Sequence, residues 1–147
     1  MKQSNRWMAV ALIIAALELS ACAQKPAEPV NENEPAKVEA VEGGKVSRVT
    51  LTKEAVKRLD IQNAEVRTVQ VRGRPRKVIP YAAVLYDPDG GTWVFTNPEP
   101  LIYVRQPVKI DYIEADQAIL SDGPPPGTVV VTVGAAELFG AEIGVGE

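Results

Sequence analysis

The sequence predicts a small, mainly β domain, either a barrel or a sandwich, of about seven short strands with one or two short helices after a disordered N-terminal tether. Short runs of β-branched and aromatic residues recur from Val46 onward, as at 92–96 and 128–133. Turns rich in proline and glycine, at 87–91 and 122–127, separate these runs. Short strands with turn signals at such spacing are typical of compact all-β domains.

The first predicted element is a strand over residues 46–51. Thr52 has the side chain of a helix N-cap, so we expect a short helix over 53–60. Leu51, immediately before the cap, would pack against Val56 in a hydrophobic staple.

Residues 61–71 return to an extended pattern, and residues 81–96 predict a β-hairpin. The two strands of this hairpin would be 81–86 and 92–96. In the turn between them, at 87–91, a proline sets the bend and two glycines accept positive φ.

Residues 102–112 predict the longest strand, because apolar and polar side chains alternate along them. Pro107 favours an edge position or a bulge. The face predicted to be buried holds Ile102, Val104, Val108, Ile110 and Tyr112, and the face predicted to be wet holds Tyr103, Arg105, Lys109 and Asp111.

Two more strands are expected over 117–121 and 128–133. Val129, Val131 and Val133 would lie on one side of the second of these strands. A helical turn over 135–139 then follows Gly134.

Residues 23–45 predict a flexible tether. They hold three prolines and many glutamates, with no aromatic residue and no apolar periodicity, so they bury too little surface to offset the entropy of ordering. The expected organisation is a signal segment over 1–21, a lipid anchor and tether over 22–45, and a β domain over 46–147.

The composition excludes several kinds of site. The chain has no histidine and a single cysteine, so Ser-His-Asp triads, histidine bases and an intramolecular disulfide lack their residues. The net charge of −3 argues against nucleic acid as a partner, because nucleic acid requires a basic footprint. We expect no enzyme activity, no cofactor and no metal.

The N-terminus has the features of a secretory signal peptide. Lys2 and Arg6 precede an apolar run of about ten residues, whereas a membrane span needs roughly twenty. The run ends at Leu19-Ser20-Ala21-Cys22, which resembles the lipobox of bacterial lipoproteins. This resemblance implies cleavage before Cys22, lipidation of its thiol and a location on the extracytoplasmic face of a membrane of the bacterial cell envelope. The alternative is a buried core cysteine after a short hydrophobic helix.

Three segments, in this order, resemble the HlyD-type periplasmic adaptors, or membrane fusion proteins, of RND efflux pumps. Residues 49–66 are similar to the adaptors' strand–helix–strand segment. Residues 79–95, with a proline before the strand, an Asp-Pro-Asp-Gly-Gly turn and an aromatic return strand, are similar to the hairpin that opens the membrane-proximal domain. Residues 127–138 look like the closing strand of that domain. The resemblance implies a permuted SH3-like β domain that contacts an inner-membrane transporter.

The chain also departs from that family. The lipoyl-like domain and the heptad-bearing helical hairpin of the adaptors do not fit between Cys22 and Val46. Some adaptors handle copper or silver through methionines, and the only methionines here, Met1 and Met8, precede Cys22. The expected counterpart is therefore the membrane-proximal part alone, without the usual reach to an outer-membrane channel.

One cluster of cations, Arg67, Arg72, Arg74, Arg76 and Lys77, is the candidate contact site for a membrane or a partner. Anionic headgroups or an acidic transporter surface would suit it, because each cation near such a surface contributes about 1 kcal/mol. The alternative is a solvated sheet edge protected against aggregation.

Other polar and aromatic residues have simpler structural explanations. Asp87 and Asp89 would suit calcium, but proline and glycine interrupt the ligand spacing and favour a turn. Asp111, Glu114 and Asp116 offer carboxylates for hydrolysis, with nothing in the sequence to orient them. The core and rim of the sheet, or alternatively an aromatic binding patch, would be formed by Tyr81, Tyr86, Trp93, Phe95, Tyr103 and Tyr112.

The predicted function is that of a non-catalytic, lipid-anchored accessory protein of a transmembrane efflux or transport system. The expected partners are the membrane, through the lipid on Cys22, and an inner-membrane transporter. The alternative is a stand-alone envelope lipoprotein that uses its β domain to bind a ligand or a protein.

Overall fold

The structure, a computed structural model, describes residues 34–41, 43 and 46–144. These residues form eleven strands in two sheets, together with two α-helices, in a sandwich-like arrangement rather than a closed barrel. The mainly β fold predicted from the sequence is confirmed, although the strands are more numerous than about seven. Neither helix is long and apolar enough to cross a bilayer.

In chain order, the elements are β1 (Ala36–Ala40), β2 (Ser47–Leu51), α1 (Lys53–Arg58), β3 (Gln62–Glu65), β4 (Arg67–Val71), β5 (Arg74–Pro80), a 3-10 turn (Tyr81–Ala83), β6 (Leu85–Tyr86), β7 (Thr92–Glu99), β8 (Ile102–Pro107), β9 (Lys109–Glu114), β10 (Gln117–Asp122), β11 (Val129–Val133) and α2 (Ala135–Glu142). The larger sheet has the order β1-β2-β8-β7-β11-β3, with β6 beside β7. The smaller sheet has the order β4-β5-β10-β9.

The larger sheet separates two hydrophobic cores, and β7 and β11 contribute to both. Phe95 and Val131 face the helices, whereas Val94 and Val130 face the smaller sheet. The helix-side core consists of Val49, Leu51, Ala55, Phe95, Tyr103, Val131, Ala135 and Leu138. The inter-sheet core consists of Val66, Ile79, Ala83, Val94, Val108, Ala118, Leu120 and Val130.

The placement of the valines in β11 therefore differs from the prediction. Adjacent residues Val130 and Val131 are both fully buried, whereas Val133 is 39% exposed. Because both faces of this strand are covered, a period-two pattern does not describe it.

The start of α1 is confirmed in detail. The Oγ1 of Thr52 accepts a hydrogen bond of 3.1 Å from the N–H of Ala55, as an N-cap side chain does. Leu51 belongs to the helix-side core and the half-buried Val56 packs against that core, which agrees with the expected staple. The helix ends at Arg58, and Asp60 follows with a φ of +50°.

The ordered domain begins before residue 46, which corrects the predicted end of the tether. Residues 36–40 form β1, which pairs antiparallel with β2 and places Val38 opposite Val49. Most side chains of β1 are exposed, so backbone pairing rather than burial holds this edge strand. A polar composition does not reveal such a strand. The rest of the predicted tether up to residue 33, and the signal segment, lie outside the described residues.

The predicted strand 81–86 is wrong in its first half. Tyr81–Ala83 forms a single 3-10 turn, which brings Ala83 into the inter-sheet core. Only the last two residues form a strand, with Leu85 opposite Trp93. The turn at 87–91 is confirmed, since the N–H of Asp87 donates to the carbonyl of Gly91 at 3.0 Å.

The predicted strand 102–112 divides at Pro107 into β8 of the larger sheet and β9 of the smaller one. The predicted faces are also wrong in β8, because Tyr103 and Arg105 are buried and Ile102 is half-buried. In β9, Tyr112 is exposed rather than buried. The faces were inverted because α2 covers the side of the larger sheet to which Tyr103 belongs.

Candidate functional site

The basic cluster lies on the hairpin formed by β4 and β5. These strands pair from Arg67 opposite Val78 to Val71 opposite Arg74. The turn residues Arg72 and Gly73 have φ values of +51° and +74°, a combination that matches the natural twist of a two-residue hairpin.

The outer part of this hairpin extends beyond the smaller sheet. Strand β10 pairs with β5 from Pro80 only as far as Lys77. Among the described strands, residues 69–76 pair only with each other, through Val69 opposite Arg76, Gln70 opposite Pro75 and Val71 opposite Arg74. We call residues 69–76 the β-ribbon.

The five cations do not share one face. Residues directly opposite each other in a ladder point to the same side. Val69 and Val71 pair with Arg76 and Arg74, so these four side chains share one face of the β-ribbon. Lys77, opposite Thr68, points to the other side.

Two of the cations are bound at the base of the β-ribbon. The Nη2 of Arg76 lies 2.6 Å from the Oδ2 of Asp111 on β9. The Nζ of Lys77 donates a hydrogen bond to the carbonyl of Gly123. These contacts hold the base of the hairpin against the smaller sheet.

The other three cations, Arg67, Arg72 and Arg74, are exposed and form no salt bridge within the described part of the chain. Residues 66–86 contain no acidic side chain. The cluster is therefore divided into two cations in structural contacts and three that face solvent.

Cys22, the predicted lipidation site, lies outside the described residues.

A second polar cluster, which the sequence analysis did not predict, surrounds Arg105 on β8. Its guanidinium carbon lies 4.3 Å from the ring centre of Trp93 and 4.9 Å from that of Phe139. Its Nε lies 2.9 Å from the Oε2 of Glu142, and its Nη2 donates to the Oε1 at 3.3 Å. The same Oε1 accepts a hydrogen bond of 3.0 Å from the N–H of Ser47.

These contacts give the Arg105 cluster a structural explanation. The side chains of Arg105 and Glu142 are only 10% and 3% exposed. Together they join the end of α2 to β2 and β8. The burial of Arg105 could have been inferred from Tyr103 two residues earlier, since the two side chains share a face and an aromatic ring favours the core.

Asp87 is fixed inside its turn. Its Oδ2 accepts a hydrogen bond of 2.7 Å from the Nε1 of Trp93, and its Oδ1 accepts one of 2.6 Å from the N–H of Gly91. The Trp93 bond, followed by the Gly91 bond, lowers the pKa of Asp87 below its usual value. A Cβ at Gly91 would collide with this carboxylate and with the indole. Both oxygens thus serve the turn, which favours the turn over a calcium site.

The remaining carboxylates named in the sequence analysis do not converge. Asp111 is bound to Arg76, and Glu114 and Asp116 are exposed around the turn from β9 to β10. Among the described residues, no group of three or more histidine, cysteine or acidic side chains is arranged to hold a metal ion.

The aromatic residues divide between core and surface. Phe95 and Tyr103 are buried, and burial raises the pKa of Tyr103. Tyr81, Tyr86 and Tyr112 are exposed. The hydroxyls of Tyr81 and Tyr86 lie 3.3 Å apart, and this hydrogen bond is the main cause of the raised pKa of Tyr86.

No protein-family model, curated protein or solved structure matches this chain. Its function is therefore inferred from its residues and from the geometry of its domain. Among the described residues, the β-ribbon presents two exposed cations, Arg72 and Arg74, on a hairpin whose base is held by Arg76 and Lys77.

Proposed function

We propose that this protein is a lipid-anchored, non-catalytic accessory protein of a transport system in the bacterial cell envelope. The lipid on Cys22 would hold it to the extracytoplasmic face of the membrane, and its β domain would dock against a transporter. The observation that best supports this proposal is the way in which the three adaptor-like segments meet.

All three segments contribute to the larger sheet. The strand–helix–strand segment supplies β2 and β3, the hairpin segment supplies β6 and β7, and the closing segment supplies β11. In that sheet β11 lies between β3 and β7, with Val130 opposite both Ala64 and Thr96. The closing strand thus joins the first segment to the hairpin segment within one sheet, as expected if the three segments are parts of a single domain.

The roles of the buried polar groups also favour a binding module over an enzyme. Arg105 and Glu142 fix α2 to the sheet, and Asp87 fixes its own turn and the indole of Trp93. These side chains are thus engaged in holding the fold, whereas the exposed cations of the β4–β5 hairpin are free to contact a partner.

The anchor is tested by fractionation of cells that produce the wild-type chain or Cys22→Ala. We expect the wild-type protein in the membrane fraction with a lipid-modified N-terminal cysteine by mass spectrometry, and the variant without lipid. A wild-type protein that retains residues 1–21 and carries no lipid would contradict the anchor.

The transporter partner is tested by photocrosslinking in membranes. A photoreactive residue replaces Tyr86, which is 53% exposed beside the turn of the hairpin segment, and a control protein carries it at Lys53 on the exposed side of α1. We expect an integral membrane transport protein to be captured at position 86 and not at position 53. Capture of a soluble envelope protein alone would favour the stand-alone binding lipoprotein.

A further inference from the structure

We propose that the β-ribbon docks onto anionic phospholipid headgroups, with Arg72 and Arg74 at its tip contacting the phosphates. This inference rests on the proposed function in one respect, the membrane that the lipid on Cys22 would bring within reach. It specifies which part of the domain faces the bilayer.

The shape of the hairpin suits contact with a flat surface. Beyond Lys77, no third strand of the described part of the chain accompanies β4 and β5, so the end of this hairpin projects from the smaller sheet. Arg72, Gly73, Arg74 and Pro75 are consecutive and all exposed. The bonds of Arg76 and Lys77 hold the base of the hairpin, so the tip is presented from a fixed support.

The charge of the hairpin suits an anionic surface. The whole chain has a net charge of −3, yet residues 66–86 hold five cations and no acid. Asp111 balances Arg76 at the base, which leaves the tip positive. Guanidinium groups bind phosphate oxygens through paired hydrogen bonds, so arginine is the residue that phosphate recognition favours.

The β-ribbon also combines charge with apolar surface. Val69 and Val71 are half-buried and share their face with Arg74 and Arg76. Mixed basic and apolar surfaces bind at the boundary between headgroups and acyl chains, where both kinds of side chain are satisfied. An acidic protein surface would satisfy the arginines but would leave the valines without a partner.

The turn itself shows that arginine is placed at some cost. Arg72 has a φ of +51°, a conformation that glycine, asparagine or aspartate adopts more easily in a two-residue turn.

The anchor would place the tip near its target. Fourteen peptide units separate Cys22 from Ala36, where β1 begins, so the link spans at most about 50 Å whatever its conformation. A second contact within such a short link becomes effectively intramolecular, so a weak affinity for headgroups is enough to orient the domain.

The test uses the full chain with Cys22→Ser and Gln70→Cys, so that an environment-sensitive dye is attached to the only thiol, on the β-ribbon. The protein is mixed with phosphatidylcholine vesicles with or without phosphatidylglycerol, at low and high salt. We expect a blue shift of the dye, and its quenching by headgroup-labelled lipid, only with phosphatidylglycerol at low salt. Because this protein lacks the anchor, failure of docking and failure of the predicted lipidation are separate results.

Variants then identify the residues. R72Q/R74Q should weaken binding about 30-fold, because each cation near an anionic surface contributes about fivefold. The matched control K53Q/R58Q removes the same charge from α1 and should bind like the parent. R72N suits the turn better than arginine and should weaken binding about fivefold with the fold retained, as far-UV circular dichroism would show.

Three outcomes would overturn the proposal. The dye could respond equally to pure phosphatidylcholine, or K53Q/R58Q could weaken binding as much as R72Q/R74Q. Tighter binding to double-stranded DNA than to phosphatidylglycerol vesicles would instead assign the β-ribbon to a nucleic-acid groove, which a two-stranded ribbon also fits.

Discussion

Arg105 and Glu142 form a buried ion pair, with 2.9 Å between Nε and Oε2, at the contact between β8 and the end of α2. Each charge has left water, so each depends on the other for compensation. The aromatic rings of Trp93 and Phe139 flank the guanidinium and exclude solvent from the pair. Replacement of either residue alone should therefore destabilise the domain more than replacement of both together.

Replacement of Arg105 alone should be costly. Arg105→Met leaves the Glu142 carboxylate buried with the N–H of Ser47 as its remaining partner, so we expect a loss of about 3–5 kcal/mol in the free energy of unfolding. The double variant R105M/E142L removes both charges and should lose less than R105M. Urea denaturation measures both, and a double variant less stable than R105M would refute this account.

Protonation of Asp87 should loosen its turn in acid. The hydrogen bond from Trp93, and after it the one from Gly91, lowers the pKa of this carboxyl in the folded state. A lowered folded pKa means that the stabilisation is fully present above the unfolded value of about 3.9 and disappears as the pH falls through the folded value.

The measurement is the urea midpoint as a function of pH, together with the fluorescence of Trp93. In Asp87→Asn, the part of the loss of stability at low pH that is due to this carboxyl should be absent. Asp89→Asn, in the same turn, should retain that loss. Identical acid profiles for the wild type and Asp87→Asn would show that the carboxylate does not contribute through its ionised form.

Two glycines of the C-terminal region should respond in opposite directions to alanine. Gly134 precedes α2 with a φ of +88°, and a Cβ there would collide with Ile61, so Gly134→Ala should cost about 1–3 kcal/mol. Gly140 lies within α2, and a Cβ there would have no atom from the rest of the described structure within 4 Å, so Gly140→Ala should gain about 0.5–1 kcal/mol. The midpoints of thermal unfolding of the two variants and the wild type provide the comparison. A Gly134→Ala variant as stable as the wild type would contradict the described start of α2.

Prolines placed in β1 should test whether this strand pairs as described. The N–H of Val41 donates to the carbonyl of Val46, and hydrogen-bonded pairs alternate along an antiparallel ladder. The N–H of Glu39 therefore points toward β2 and that of Val38 points away. We expect Glu39→Pro to cost about 1–1.5 kcal/mol, the value of one hydrogen bond, and Val38→Pro to cost clearly less.

Glu39→Ala is the control for the exposed contact between Lys37 and Glu39, which should contribute little. Equal effects of the two prolines on the urea midpoint would show that residues 36–40 do not form an ordered edge strand.

The sequence predicted best what depends on neighbouring residues in the chain. Thr52 caps α1 because its hydroxyl reaches an N–H three residues away, and Asp87 forms its turn with Gly91. Such contacts are encoded within a few positions and are readable from residue type. The basic cluster was likewise visible in the sequence, although its division into bound and free cations was not.

What the sequence did not reveal depends on distant partners. Arg105 was assigned to a wet face because an alternating pattern does not say which face a distant helix will cover. The residues of β1 carry no strand signal in the sequence, because the order of this strand comes from backbone pairing with β2. Pro107 indicates an edge or a bulge, but the change of sheet at this residue depends on the position of β10.

The neighbouring residues Val130 and Val131 have a consequence for how this domain comes apart. Val130 belongs to the inter-sheet core and Val131 to the helix-side core. If either core loses its packing, β11 is displaced and the other core loses a buried side chain as well. The two cores should therefore unfold as one cooperative unit, and the amides of β7 and β11 should exchange with deuterium only through global opening.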